Sequence, residues 1–221
     1  MTWYKEVVID VQFLAAGIPA IYLWLHYSRN KVVKFPQIKE YFILIAFGAL
    51  YEIIGTRWLN IHTTLWFKIY VLLEFVCIFL FFRRISAKKY QKIYLVLLWA
   101  FLLTFVGLQT HWIMGGTPKT DSWLSMLETI LVYIGSVIWF KNIFSNMDLD
   151  TLWKSAEFFF ISAFILYFSG TLFLFLMTDF VFSTKEMSKY WIINIVLSLL
   201  ADILIIFGIW IGQQKSPQYS G

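Results

Sequence analysis

Residues 190–211 read YWIINIVLSLLADILIIFGIWI and contain one charged residue, Asp202. An apolar segment of about 20 residues is long enough to cross the hydrocarbon core of a bilayer as an α-helix. Six further apolar stretches of similar length precede it. Because a segment in lipid must satisfy its own backbone hydrogen bonds, each is predicted to be helical. The predicted spans are about 8–25, 41–59, 66–82, 93–112, 123–140, 156–177 and 190–211.

The composition indicates the same class of protein. Hydrophobic residues make up 60% of the 221-residue chain and charged residues only 14%, whereas soluble domains carry roughly 25% charged residues. We therefore predict an all-α integral membrane protein, a single seven-helix bundle over 1–221 that ends in a short cytoplasmic tail at 212–221. With so little chain outside the spans, we expect neither a signalling output domain nor a nucleic-acid partner.

The distribution of basic residues predicts the orientation. Twelve of the 18 Lys and Arg residues fall in the loops and tail on one side of the predicted bundle, and six fall on the other side. Cytoplasmic loops carry the excess of positive charge in membrane proteins. We therefore expect the N-terminus outside and the C-terminus in the cytoplasm. The basic stretch Arg83–Lys92 is sufficiently explained by topology and by attraction to anionic headgroups.

Tryptophan positions support the predicted span borders. An amphipathic ring is stable at the membrane interface, where it is half in lipid and half at the headgroups. Eight of the 11 tryptophans lie at or near a predicted span end: Trp24, Trp58, Trp66, Trp112, Trp123, Trp139, Trp191 and Trp210.

Three spans carry a glutamate, which is costly inside a membrane and therefore marks a candidate site. With about 1.5 Å of rise per residue, Glu52 lies roughly 10 Å, Glu74 roughly 12 Å and Glu128 roughly 8 Å from the predicted outer surface. Their helical faces also carry small and hydroxylated residues, which are typical of interior faces in membrane bundles. We therefore expect the three carboxyls to share one outward-facing site.

The last span adds a polar stripe of Asn194, Ser198 and Asp202, spaced four residues apart. The predicted ligand-binding residues are Glu52, Tyr70, Glu74, Glu128 and Asn194, with Arg57 on the outer flank. Asp202 and Ser198 are predicted to continue the site inward as a proton or cation path. The structural alternative is that the glutamates form interhelical hydrogen bonds, or pair with Arg57, and only hold the bundle together.

Known intramembrane chemistries find little support. The last span lacks the lysine that a retinal protein needs, and Ser136 lacks a nearby histidine or lysine base. Of the three histidines, only His62 and His111 are expected on the same side, fewer than an intramembrane zinc enzyme requires. We expect no metal, no cofactor and no catalytic residue, and an enzyme is the least favoured function.

One pattern resembles a known group of proteins. The residues are Tyr51-Glu52-Ile53-Ile54-Gly55, Trp66-Phe67-Lys68-Ile69-Tyr70 and Leu73-Glu74-Phe75. Together they resemble a pattern in small uncharacterised seven-helix membrane proteins of Bacteroidota. The resemblance implies a multi-pass protein of a bacterial inner membrane and points to Glu52, Tyr70 and Glu74, but it implies no activity.

Two functions remain open. The first is a receptor-like protein that binds or senses a small molecule or cation and signals through a separate cytoplasmic or membrane partner, for which Arg83–Lys92 is the candidate docking surface. The second is a small proton- or cation-coupled transporter. Transport requires an inner polar path through Asp202, whereas sensing requires only the outer cavity.

Overall fold

The computed structural model describes residues 3–28, 35–59, 64–113, 121–146, 152–176 and 187–214. Within these residues the chain forms helices and turns and contains no β-strand. The helices are α1 (Trp3–Ser28), α2 (Lys39–Tyr51), α3 (Thr64–Ile85), α4 (Gln91–Ile113), α5 (Asp121–Asn146), α6 (Ala156–Leu176) and α7 (Met187–Gln214). A π-helical segment, Glu52–Trp58, continues α2, and one 3₁₀ turn, Lys88–Tyr90, precedes α4.

Each predicted span falls on one of these helices, so the all-helical prediction is confirmed. Most of the helices are longer than the spans because amphipathic ends continue the hydrogen-bonded backbone beyond the apolar run. Helix α7, for example, includes 212–214, which the sequence assigned to the tail. Among the described residues, five stretches are long and apolar enough to cross a membrane. They are Ile9–Ser28, Lys88–Thr110, Trp123–Ser145, Ala156–Leu174 and Ile192–Gln214.

Six of the helices form a closed ring. In order around the ring, α1 packs on α2, α2 on α3, α3 on α5, α5 on α6, α6 on α7, and α7 returns to α1. Helix α4 packs against α3 and α5 from outside this ring. The chain direction alternates, so the N-termini of α1, α3 and α7 share one end of the bundle with the C-termini of α2 and α6.

The outer surface of the bundle is apolar. Large hydrophobic side chains stand exposed along most of the helices, including Leu14 at 73%, Leu103 at 70% and Val137 at 66%. Soluble monomers rarely expose apolar surface this extensively. The surface therefore suits a lipid environment.

Six of the eight tryptophans predicted at span borders have described side chains and divide into two groups, while the side chains of Trp112 and Trp191 lie outside the described residues. Trp24, Trp58, Trp123 and Trp210 are exposed near helix ends, as an interfacial belt requires. Trp139 instead is buried, and Trp66 packs against Tyr51 and Tyr70. Packing between helices, which spacing along one helix cannot reveal, accounts for these two departures.

A cluster of phenylalanines, the aromatic floor, fills the centre of the ring. It consists of Phe42, Phe81, Phe82, Phe160 and Phe164, all of them almost fully buried. Their rings meet mainly edge to face, with centroids 5.3 Å apart for Phe81 and Phe164 and 5.8 Å apart for Phe42 and Phe160. Edge-to-face pairs at such distances are the favoured aromatic geometry. The floor therefore separates the two ends of the bundle with close-packed apolar side chains.

Candidate functional site

A cavity of about 290 Å³ lies inside the ring, on the side of the aromatic floor that holds the N-termini of α1, α3 and α7. Five elements contribute to its wall: α1, α2 with its π-helical continuation, α3, α6 and α7. The lining residues on α2 run from Tyr41 to Glu52, a distance of about 16 Å along the helix. The polar and aromatic side chains of the lining are Gln12, Phe13, Tyr41, Glu52, Trp66, Tyr70, Glu74, Tyr167, Asn194, Ser198 and Asp202.

Helix α3 presents one continuous stripe to this cavity. Trp66, Tyr70 and Glu74 are four residues apart, so their side chains lie one above another on the same helical face. The Trp66 and Tyr70 ring centroids are 5.9 Å apart. The Tyr70 hydroxyl is within hydrogen-bonding reach of the Glu74 carboxyl. The stripe on α3 therefore consists of two aromatic rings followed by a carboxyl group.

Helix α7 contributes the predicted polar stripe on the facing side. Asn194, Ser198 and Asp202 all line the cavity. Gln12 of α1 donates a hydrogen bond from Nε2 to Ser198 Oγ at 3.3 Å, and its amide also reaches the Asp202 carboxyl. Gln12 therefore ties the α7 stripe to α1.

Glu52 lies where α2 changes from α-helical to π-helical geometry. The backbone N–H of Leu59 donates to the carbonyl of Ile54 at 3.0 Å, the five-residue spacing of a π-helix. π-Helices are rare and are found frequently at functional sites. In this case the change of geometry coincides with the end of the cavity wall on α2 that is farther from the aromatic floor.

Two carboxyls of the cavity have an oxygen without a hydrogen-bond partner. Glu74 and Asp202 are each only 4% exposed, and Oε1 of Glu74 and Oδ2 of Asp202 are buried without a donor. No Lys or Arg is among the described residues that line the cavity. An unpaired buried carboxylate is energetically costly, so this arrangement favours a cationic or hydrogen-bond-donating occupant.

Glu128 departs from the predicted arrangement. It is 3% exposed, and its Oε1 also lacks a partner, but it is not among the residues that line the cavity. None of the described lining residues lies on α5, which packs beside α3 and α6 in the ring. The Glu128 and Glu74 carboxyls remain close enough for their charges to interact.

One predicted site residue, Arg57, has its side chain outside the described part of the chain. The two histidines expected on the same side also fall outside it, His111 by its side chain and His62 entirely. Among the residues that the structure does describe, no group of three or more His, Cys, Asp or Glu could hold a metal ion.

Sequence reasoning missed five of the polar and aromatic lining residues: Gln12, Phe13, Tyr41, Trp66 and Tyr167. A signal existed for Tyr41, because it shares a helical face with Ile45, Gly48 and Glu52. Gln12 also stood out as a polar side chain inside the first predicted span. No local pattern could have identified Tyr167, because its role depends on how α6 packs against α7.

A groove of about 780 Å³ occupies the opposite, basic end of the molecule. Arg84 donates from Nη1 and Nη2 to the two carboxylate oxygens of Glu40, at 2.6 and 2.9 Å, and from Nη1 to the Pro36 carbonyl at 3.1 Å. Glu40 precedes the predicted second span. Burial raises the pKa of Glu40, but the hydrogen bond and charge of Arg84 outweigh it, so the pKa is lowered from its ordinary value.

The fold, the apolar surface and the acidic cavity are together those of a helical, multi-pass membrane protein. No known protein family, curated protein or solved structure matches this chain. The function must therefore be inferred from the cavity itself.

Proposed function

We propose that this chain is a seven-span bacterial inner-membrane protein, with its N-terminus outside and its C-terminus in the cytoplasm, that binds a small cation in the cavity between α1, α2, α3, α6 and α7. In this proposal the protein senses the cation and passes its state to a separate partner. The observation that carries the proposal is that two acids of the lining, Glu74 and Asp202, each have a buried carboxyl oxygen without a hydrogen-bond partner, while the described lining contains no basic residue.

The aromatic floor supports sensing over transport. Tyr41 lines the cavity and its ring lies 4.9 Å from the ring of Phe164, so the inner end of the cavity meets the floor directly. Beyond that point the ring is filled by closely packed Phe81, Phe82 and Phe160. A cavity closed at one end by such packing can bind a ligand, and binding does not require the ligand to pass through the bundle.

The basic end supplies a surface for a partner in this proposal. Arg83, Arg84, Lys88, Lys89 and Lys92 are all exposed there. Helix α3 joins the two ends, because it carries Glu74 in the cavity and Arg84 at the basic groove, about 15 Å apart along the helix. A small displacement of α3 on cation binding would therefore reach the docking surface.

Binding is tested by thermal unfolding of the full chain in lipid nanodiscs over a panel of inorganic and organic cations at constant ionic strength. A ligand present at 100 times its dissociation constant stabilises the folded state by about 2.7 kcal/mol. We expect Glu74→Gln to remove the stabilisation, whereas Glu157→Gln, at the opposite end of the bundle, should retain it. Equal stabilisation of both variants would refute a site at Glu74.

A small proton- or cation-coupled transporter is the second candidate, favoured by one observation. Asp202 lies at the inner part of the same cavity, and Glu128 is buried beyond the wall near Glu74. A row of carboxyls at increasing depth is what proton and cation paths use. Reconstituted vesicles that show a cation or proton flux, lost in both Glu74→Gln and Asp202→Asn, would establish transport and replace the sensing proposal.

A further inference from the structure

The wall of the cavity is unusually aromatic for an acidic site. Five aromatic side chains line it: Phe13, Tyr41, Trp66, Tyr70 and Tyr167. Trp66 is held in place because Tyr51 stacks on it at 4.4 Å with an interplanar angle of 21°, and Phe47 packs against it at 5.5 Å. The rings are thus fixed before any ligand arrives, which lowers the entropic cost of binding.

Gly48 explains how one of these rings fits. A Cβ added at Gly48 would lie 2.9 Å from Cε2 of Tyr70, closer than real contacts allow. The glycine therefore lets the Tyr70 ring lie directly against α2 while its hydroxyl reaches Glu74. The ring and the carboxyl are positioned as one unit.

The spacing of the acids disfavours a metal ion as the occupant. A hard divalent cation such as Ca²⁺ needs six to eight oxygen ligands converging at 2.3–2.6 Å. The described acids do not converge in this way, because no three of the described His, Cys, Asp and Glu side chains are close enough to share an ion. Glu52, Glu74 and Asp202 instead occupy different parts of the wall, each on a different helix.

Aromatic rings next to separate carboxyls are the recognition chemistry of organic ammonium ions. Such a cation spreads its charge over methyl or methylene groups, is attracted to the faces of Trp and Tyr, and needs only one or two carboxylates as counter-charge. A cavity of about 290 Å³ is at the lower limit of small-molecule sites, so the ligand has few non-hydrogen atoms.

Resting on the cation-binding function proposed above, we propose that the ligand is a small organic ammonium ion, held between the Trp66–Tyr70 rings and the carboxyls of Glu74 and Asp202. The stripe on α3 orders these contacts: the ring of Trp66, the ring of Tyr70 and then the charge of Glu74. The carboxyl of Asp202 on α7 takes a second polar or cationic group of the same ligand.

The test compares probes of equal shape and different charge. Choline and tetramethylammonium are titrated against the full chain in nanodiscs, with 3,3-dimethylbutan-1-ol as the neutral carbon analogue of choline and with Na⁺, K⁺ and Ca²⁺ as inorganic cations. We expect the two ammonium ions to raise the unfolding temperature and the neutral analogue to leave it unchanged. The dissociation constant of tetramethylammonium is then measured calorimetrically.

Variants separate the role of the ring from that of the hydroxyl. Tyr70→Phe keeps the ring and should bind tetramethylammonium within about threefold of wild type, whereas Tyr70→Leu and Trp66→Leu should each weaken binding about tenfold. Trp99→Leu, on the exposed face of α4, is the matched control and should bind as wild type does. Tyr70→Phe also shows whether the protein still folds when Tyr70 is substituted.

The outcomes distinguish this inference from the function on which it rests. Stabilisation by inorganic cations alone, lost in Glu74→Gln, would overturn the ammonium ligand and leave cation binding intact. Stabilisation by none of the cations would overturn both proposals. Tetramethylammonium affinity unchanged in both Tyr70→Leu and Trp66→Leu would overturn the aromatic site.

Discussion

Replacing Glu74 with methionine and Tyr70 with phenylalanine in one double variant should make the ligand-free protein as stable as wild type or more stable. Methionine has a similar length and no polar atom, so the substitution removes the buried Oε1 that lacks a partner. An unsatisfied buried polar group costs about 1–3 kcal/mol. Phenylalanine removes the Tyr70 hydroxyl, which would otherwise be left without its acceptor. The hydrogen bond lost between the two side chains contributes about 1 kcal/mol, so the net expectation is a gain of about 0–2 kcal/mol.

The sign of this change separates a binding site from a structural contact. If Glu74 held the helices together through a satisfied network, its removal would cost about 3–5 kcal/mol, as the loss of one partner of a buried pair does. If it is kept for a ligand, it should cost the empty protein stability, as strained or unpaired groups at functional sites do.

The assay is thermal unfolding in nanodiscs without added cation. For a chain of this size, 1 kcal/mol corresponds to about 2–4 °C, so the Glu74→Met, Tyr70→Phe double variant is expected between 0 and about 8 °C above wild type. Thr129→Val is the control, because Thr129 Oγ1 is buried and donates to Ser125 O at 2.8 Å and Phe168 O at 3.3 Å. That variant should lose about 1 kcal/mol. A loss of 2 kcal/mol or more in the double variant would refute the reasoning.

Two further predictions concern the basic end and the orientation. The lowered pKa of Glu40 stabilises the fold above its unfolded pKa of about 4.5, and this contribution disappears as the pH falls through the folded pKa. Glu40→Gln, which breaks the pair with Arg84, should therefore cost up to about 1 kcal/mol at pH 7 in unfolding experiments, and this cost should decrease as the pH is lowered below about 4.5; a cost that does not decrease with pH would contradict this. In a Cys77→Ala background, a membrane-impermeant thiol reagent should label Leu59→Cys in intact cells and Lys88→Cys only after permeabilisation, and the reverse pattern would invert the proposed orientation.

Local sequence information was sufficient for the helices and for part of the cavity. The apolar runs predicted every helix, because backbone hydrogen bonding in an apolar segment has no other local solution. Glu74 and Tyr70 could be placed on one face from their spacing alone, as could Asn194, Ser198 and Asp202. All five of these residues line the cavity.

What could not be predicted depends on how helices pack together. Helix α5 contacts α3 and α6, and Glu128 on α5 is buried near Glu74 without being among the lining residues of the cavity. Equal depth along separate helices therefore did not imply a shared site. The π-helical segment after Tyr51 also has no distinctive local signal, since its residues are compatible with an ordinary α-helix.

The absence of Glu128 from the cavity lining narrows the range of ligands that the cavity suits, compared with three acids that meet at one depth. A ring of three converging carboxylates would suit a metal ion, whereas the acids of the cavity stand on separate helices with aromatic rings between them. Glu128 is buried near Glu74 but is not among the lining residues, so it stands behind the wall and not beside a ligand. A ligand that meets one or two of the cavity acids together with the rings is therefore favoured over one that needs three carboxylates at a single point.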